Sequence, residues 1–271
     1  MTRRAMFAAV AVVVAAAAMS AWVVALNLRD ESPGDAATAS TASPSAETIA
    51  RGRYLAIAGN CAGCHSLPGA PSYAGGLGIP TPFGTVFAGN LTPDATTGLG
   101  TWTAHDFWRA MHNGRSKDGR LLYPAFPYTN FTRITREDSE ALFAYLRTVP
   151  PAVQINRRHE LAFPYNTQAA LAVWRALYFK PGIEPPDAAQ SAEWNRGAYL
   201  VRGLGHCNAC HAPRGWLGGI DELPELKGGL IPQLNWYAPA LGPPTSVAST
   251  AEQQAHQFAL LKTGLSNHTS T

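Results

Sequence analysis

The chain has 271 residues, 46% of them hydrophobic and 14% charged, with a net charge of +3. That length and apolar content suit two modest domains beside non-globular parts. No run of Lys or Arg marks a nucleic-acid surface, which sets DNA and RNA binding aside.

The N-terminus comes first. Arg3 and Arg4 precede an uncharged stretch from Ala5 to Leu28, interrupted only by Ser20 and Asn27. As a helix it is long enough to cross a hydrocarbon core of about 30 Å. A secretory apolar region is usually only about 7–15 residues, so residues 1–29 read as an uncleaved anchor. The alternative is a signal cut near Ala18-Met19-Ser20. The two arginines place the N-terminus in the cytoplasm and the rest of the chain outside it. Residues 30–46 are rich in Ala, Ser, Thr and Pro, without periodicity. They read as a flexible tether that lets a globular body range over the membrane.

A first domain is expected over 47–150. A helix from Ala46 to Ala58 carries Tyr54 and Leu55 on its buried face and leads into Cys61-Ala62-Gly63-Cys64-His65. A Gly/Pro-rich loop runs to about Thr101. A helix over Ala104–Asn113 is opened by Thr103 as N-cap. After the loop Tyr123-Pro-Ala-Phe-Pro-Tyr128, the spacing predicts a helix over Arg136–Leu146. There Thr135 and Asp138 form a capping box, and Pro150-Pro151 ends the element. The connection 151–190 includes a helix from Thr167 to Tyr178 whose Leu171, Trp174 and Leu177 are expected to pack inward. Residues 191–271 form a second domain around Cys207-Asn208-Ala209-Cys210-His211.

These two Cys-x-x-Cys-His motifs use all four cysteines of the chain. The spacing is that of a c-type haem attachment site. Cysteines one helical turn apart form two thioethers to one porphyrin, and the following histidine is the axial ligand. Cys61, Cys64, Cys207 and Cys210 are thus the expected attachment points of two haems c, with His65 and His211 as proximal iron ligands. Electron transfer is the leading reading. A haem enzyme, such as a di-haem peroxidase or a thiosulfate-oxidising cytochrome, is the alternative. A non-haem use of the cysteines, as disulfides or half zinc sites, leaves the histidines unexplained.

The surroundings of the motifs repeat. Arg51-Gly-Arg-Tyr-Leu55 precedes the first and Arg196-Gly-Ala-Tyr-Leu200 the second. Ala88-Gly-Asn-Leu91 aligns with Ala238-Pro-Ala-Leu241, and 107–114 with 257–264. Cys207 follows Cys61 by 146 residues and Ala238 follows Ala88 by 150, an ordinary loop difference. Thr271 corresponds to Leu121, so nothing matches the later loop and closing helix of the first repeat. C-terminal truncation is the expectation, and a naturally incomplete second domain the alternative.

A helix leading into Cys-x-x-Cys-His and a helix closing the domain resemble the class I cytochrome c fold: mostly α, in tandem, behind an N-terminal transmembrane anchor. Thr81 to Asp94, Thr97 to Gly100, Asp118 to Tyr128 and Trp194 to Arg214 also resemble the membrane-bound multihaem cytochrome c subunits of bacterial periplasmic dehydrogenases acting on alcohols, gluconate or aldehydes. The resemblance implies an electron-transfer subunit rather than a catalytic one. It implies a quinoprotein, flavin or molybdenum dehydrogenase as partner, and ubiquinone or a terminal oxidase as acceptor. It also implies location at the inner membrane with the haem domains periplasmic, and a third haem beyond the two motifs present. Many family members have Met where Phe126 stands, so an expected axial methionine is missing.

Of the four methionines only Met111 lies outside the N-terminal segment. Met111 and His112 are adjacent on one helix and point about 100° apart, so one of them is the distal candidate for the first iron. His105 and His159 are outsiders, and His256 and His268 have no assigned place at the second. Tyr54, Trp102, Tyr199 and Arg214 are candidates for haem-edge or propionate contacts. Pro82 is the expected carbonyl partner of His65 Nδ1.

Overall fold

The computed structural model describes residues 2–28, 43–220, 226–231, 235–242 and 250–263. Most of the tether, 30–42, lies outside the described residues. The chain divides into two compact units, Met1–Gly205 and His206–Thr271.

The first unit begins with α1 (Arg3–Asn27), apolar along its length and not buried in the protein. Next come α2 (Ala46–Ala58), capped by Ser45 Oγ, and the five-residue α3 (Cys61–His65). The antiparallel hairpin β1 (Gly78–Thr81) and β2 (Gly84–Phe87) follows. Then α4 (Ala104–Asn113), α5 (Tyr128–Phe131) and α6 (Arg136–Leu146) complete the core. β3 (Glu160–Leu161) adds to the edge of β2. α7 (Gln168–Tyr178) and α8 (Ala192–Tyr199) follow, and a π turn covers Leu200–Leu204. The mostly helical expectation therefore holds, with helix bounds close to those read from capping and periodicity. α8, which the repeat pattern assigns to the second domain, packs within the first unit.

The core is where α2 and α6 cross, with α4 against α6. Leu55, Leu142, Leu146, Phe107, Met111, Phe131 and Ile134 are buried together. A Cβ on Gly52 would lie 1.9 Å from the Ala141 carbonyl oxygen, so only glycine permits this crossing. Tyr54 departs from its expectation: it is 50% exposed, because the crossing is centred on Gly52 and Leu55. Thr103 and Asp106 form a full capping box on α4. At its other end Gly114 (φ +59°) stops the helix, where a Cβ would strike the Tyr128 ring at 2.6 Å.

The expected box on α6 is only half formed. Thr135 Oγ1 accepts from Asp138 N, but the Asp138 carboxylate does not return to Thr135. It is buried and receives Arg51 at 2.6 Å instead. The Tyr199 hydroxyl donates to Asp138 at 2.7 Å and accepts from Thr135 N–H at 2.9 Å. Burial pushes the Tyr199 phenol up to about 12, which keeps it a donor. A helix of the second repeat is thereby bonded to the closing helix of the first. Glu184 adds a link, accepting from Arg133 (2.9 Å) and Arg202 (2.8 Å).

α1 is docked as well. Asn27 Nδ2 donates to the Ala172 carbonyl of α7 at 2.9 Å, and Arg175 Nε donates to Asn27 Oδ1 at 2.8 Å. Arg115 donates to the Asn27 carbonyl at 2.9 Å. These bonds join the end of α1 to the body of the first unit. Leu171 is buried as expected; Leu177 is not, at 55% exposure.

The second unit holds α9 (Asn208–His211), the hairpin β4 (Gly229–Ile231) and β5 (Trp236–Ala238), and α10 (Ala251–Thr263).

Replacing Asp138 with Ala strands the Tyr199 hydroxyl and is expected to cost about 1–3 kcal/mol of unfolding free energy in denaturant titration. Replacing Thr101, whose carbonyl merely receives an exposed lysine, should change it by less than about 0.5 kcal/mol.

Candidate haem-attachment sites

In the first unit, α2 ends at Gly59, and Asn60 turns the chain through left-handed φ (48°), so that α3 starts afresh at Cys61. Cys61, Cys64 and His65 all lie on that one short helix. The chain then returns beneath His65. Gly75 (φ +79°) donates its N–H to the His65 carbonyl at 2.7 Å, and the β1–β2 hairpin brings Gly89 to the ring. His65 Nδ1 donates to the Gly89 carbonyl at 2.7 Å. A carbonyl only accepts, so Nδ1 carries the proton and Nε2 is left with its lone pair. Burial lowers the pKa of His65, against the Gly89 bond, and favours the neutral ring.

The acceptor is thus Gly89 and not Pro82. Asn90 braces it: its Nδ2 donates to the Ala152 carbonyl at 2.8 Å, and its own N–H donates to Asn156 Oδ1 at 2.8 Å. No sequence motif singles out Gly89 or the asparagines. The aligned blocks at 88–91 and 238–241 hold the signal.

The second unit repeats the arrangement with other residues. Cys207 caps α9, which carries Cys210 and His211. Gly228 (φ +87°) donates to the His211 carbonyl at 2.9 Å, and His211 Nδ1 donates to the Pro239 carbonyl at 2.7 Å. Pro239 aligns with Gly89. Arg214 donates to Ala209 and Gly218 carbonyls within the unit, so it braces the loop after α9.

None of the four cysteines is joined in a disulfide. Burial raises Cys61 to about 11 and also raises Cys64 and Cys207. A reactive dithiol needs a depressed pKa, the opposite of the direction at Cys61, Cys64 and Cys207. Among the described residues no group of three or more His, Cys, Asp or Glu is placed to hold a bare metal ion. Two cysteines one turn apart, followed by a histidine whose Nδ1 is locked to backbone, are instead the donor set of covalent haem c.

Met111 and His112 are both buried on α4. Met111 belongs to the apolar cluster on which Cys61, Ala62, Trp102 and Phe126 pack. His112 Nδ1 donates to the Thr132 carbonyl at 2.9 Å, and its ring stacks on Trp108 at 4.3 Å. His159 Nδ1 accepts from Phe87 N–H at 3.1 Å and so serves the hairpin; Tyr199 serves Asp138. His105 sits in the first turn of α4, His256 lies on α10, and His268 falls outside the described residues.

Fold and donor set together define a c-type cytochrome. The cytochrome c family model matches residues 49–150. The chain is 46% identical over 223 residues to one subunit of the nicotinate dehydrogenase of Pseudomonas putida, covering 82% of this chain and 18% of that protein. It is 38% identical over 244 residues to the cytochrome c subunit of a quinone-type alcohol dehydrogenase of Gluconacetobacter polyoxogenes, covering 86% and 52%. It is 39% identical over 199 residues to a diheme cytochrome c-type protein of Cereibacter sphaeroides, covering 71% and 67%. The chain belongs to the family of cytochromes c that includes the cytochrome c subunits of bacterial dehydrogenases, and a cytochrome c domain carries covalent haem c. It spans about half or less of the length of the first two relatives.

A Cβ on Gly75 would fall 2.5 Å from Gly89, the residue that holds His65. Gly75→Ala is therefore expected to cost about 1–3 kcal/mol, read by denaturant unfolding, because positive φ and the collision act together. The matching change at Gly69, which has open space around it but also positive φ, should cost about 1 kcal/mol.

Proposed function

We propose that this chain transfers electrons through two haems c, one on Cys61 and Cys64 with His65 as proximal ligand, the other on Cys207 and Cys210 with His211. The observation that carries the reading is the twofold occurrence of one arrangement. In each unit a Cys-x-x-Cys-His helix is followed by a hairpin whose carbonyl takes the histidine Nδ1 proton at 2.7 Å. The bound group supplies one-electron chemistry. The chain's residues fix its position covalently, hold the ligand tautomer and wall the site with apolar side chains. An electron relay needs this immobility, since little reorganisation then accompanies each transfer.

For the first iron Met111 is the distal ligand in this reading. It shares the apolar cluster with Cys61, whereas His112 is engaged by Thr132 and Trp108. The cytochrome subunit names of the relatives support a dehydrogenase catalytic subunit as electron donor, and in this reading it is of quinoprotein, flavin or molybdenum type. Ubiquinone or a terminal oxidase is the acceptor. The length and composition of α1 support an inner-membrane anchor with a cytoplasmic N-terminus and periplasmic haem domains. A third haem belongs to the longer form that the relatives' lengths suggest.

Expressed with haem-maturation machinery, the protein should carry two covalent haems per chain by pyridine haemochrome assay and mass. Cys61→Ala/Cys64→Ala and Cys207→Ala/Cys210→Ala should each remove one. A haem-free product of the full chain would overturn the reading. Met111→Leu should abolish the methionine-to-iron charge-transfer band of the ferric protein and lower the midpoint potential of one haem. If the band survives Met111→Leu, or was never present, Met111 is not the ligand.

A further inference from the structure

α7 has its polarity reversed. Its one charged residue, Arg175, is buried at 3% exposure. The guanidinium donates to Asn27 Oδ1 at 2.8 Å and to the Asn113 carbonyl at 2.5 Å, and lies over the rings of Phe179 (4.6 Å) and Tyr128 (5.3 Å). The solvent side of the same helix is apolar: Val173 is 48% exposed, Leu177 55% and Tyr178 37%. The half-buried Trp174 ring lies tilted against Tyr178 at 5.3 Å. An ordinary surface helix places charge outward and aliphatic residues inward. Gln168, at the start, is turned to the Leu121 backbone, which it meets through both side-chain polar atoms.

The position of this helix says what covers its outer face. Asn27, the last residue of α1, is bonded to the Ala172 carbonyl and to Arg175. α7 therefore lies against the end of a helix long and apolar enough to cross a bilayer, and the exposed Val173 falls in the chain between the two residues that meet Asn27. Trp22, one turn before that end, is exposed too. Tryptophan and tyrosine gather at headgroup level, where an apolar ring meets a polar rim. A helix of 11 residues is too short to span but suits the interface plane.

We infer that α7 is an interfacial helix, its Val173, Leu177, Trp174 and Tyr178 side set into the phospholipid headgroup–acyl boundary beside the exit of α1. The Asn27–Arg175–Asn113 connection then couples the bilayer to the C-terminus of α4, the helix that carries Met111. The inference rests on α1 being a retained membrane anchor.

The test uses the full-length, haem-loaded protein in phospholipid vesicles that contain a photoactivatable phospholipid, with adducts mapped by mass spectrometry. Adducts are expected on α1 and on the peptide containing residues 168–180. Adducts on α1 alone overturn the interfacial role of α7 while leaving the anchor intact. Adducts on neither remove both readings together. Val173→Glu/Leu177→Glu changes only exposed positions. It should lower α7 labelling about tenfold while labelling of α1 and the haem spectrum stay as they were, because carboxylates are expelled from the apolar boundary. Unchanged α7 labelling in that variant also overturns the inference.

Discussion

The close crossing of α2 and α6 is the constraint on which the first unit depends. Gly52 lets the Ala141 carbonyl approach to where a side chain would otherwise stand. At that distance Leu55 and Ala56 meet Leu142 and Leu146 directly, and burial of these side chains supplies much of the driving force for the unit. The direction of α2 then sets where Gly59 and Asn60 turn, and so where Cys61 begins its helix. Beside the crossing, Arg51 reaches Asp138, and Asp138 receives Tyr199. One glycine therefore aligns the helix of the first Cys-x-x-Cys-His motif, while its neighbour ties the start of the next repeat to the end of this one.

How much of this is legible in the sequence follows from how local each determinant is. Caps and periodicity are local, so α4 and α6 are readable from Thr103 and Thr135, and α2 and α7 from their apolar spacing. The attachment motifs are local too. What cannot be read are relations across the chain. Tyr54 and Tyr199 occupy the same place in a repeated pentapeptide, yet one is exposed and the other bonds the N-terminus of α6. That difference depends on what packs nearby, which the motif does not encode. The capping box at Thr135 fails for the same reason: a distant tyrosine and arginine offer the carboxylate better-placed donors than its own N-cap. Spacing alone turns Leu177 inward, but the buried charge of Arg175 rotates α7 the other way.

The histidine cradles show why the two repeats tolerate different residues. The acceptor for Nδ1 is a backbone carbonyl in both, at Gly89 and at Pro239, so side-chain identity is nearly irrelevant to the bond itself. What must persist is a glycine at positive φ, Gly75 or Gly228, and a hairpin of the right length. Bracing is where they diverge. Asn90 spends its amide on the Ala152 carbonyl, while the aligned position in the second unit is Ala240, which has no side-chain hydrogen bond to offer. A donor of equal geometry but unequal bracing gives the imidazole different freedom to move. Ligand basicity and haem potential follow such outer contacts. Under the proposed function, haems on the two near-identical motifs can thereby sit at different potentials.

The docking of α1 bears on how such a chain would deliver electrons. A tethered domain samples many orientations, and only a fraction present a haem edge to the partner. Three bonds at Asn27, with Arg175 buried behind them, remove most of that freedom before any partner arrives. Ordering α1 against the first unit during folding means that this entropy need not be lost on encounter. The arginine is held by neutral acceptors and two aromatic faces. Loss of Asn27 would withdraw one of its acceptors and reopen the buried end of α7. The same residue that interrupts the apolar run of the N-terminal helix, and so looks like a flaw in it, is the one that joins that helix to the first unit.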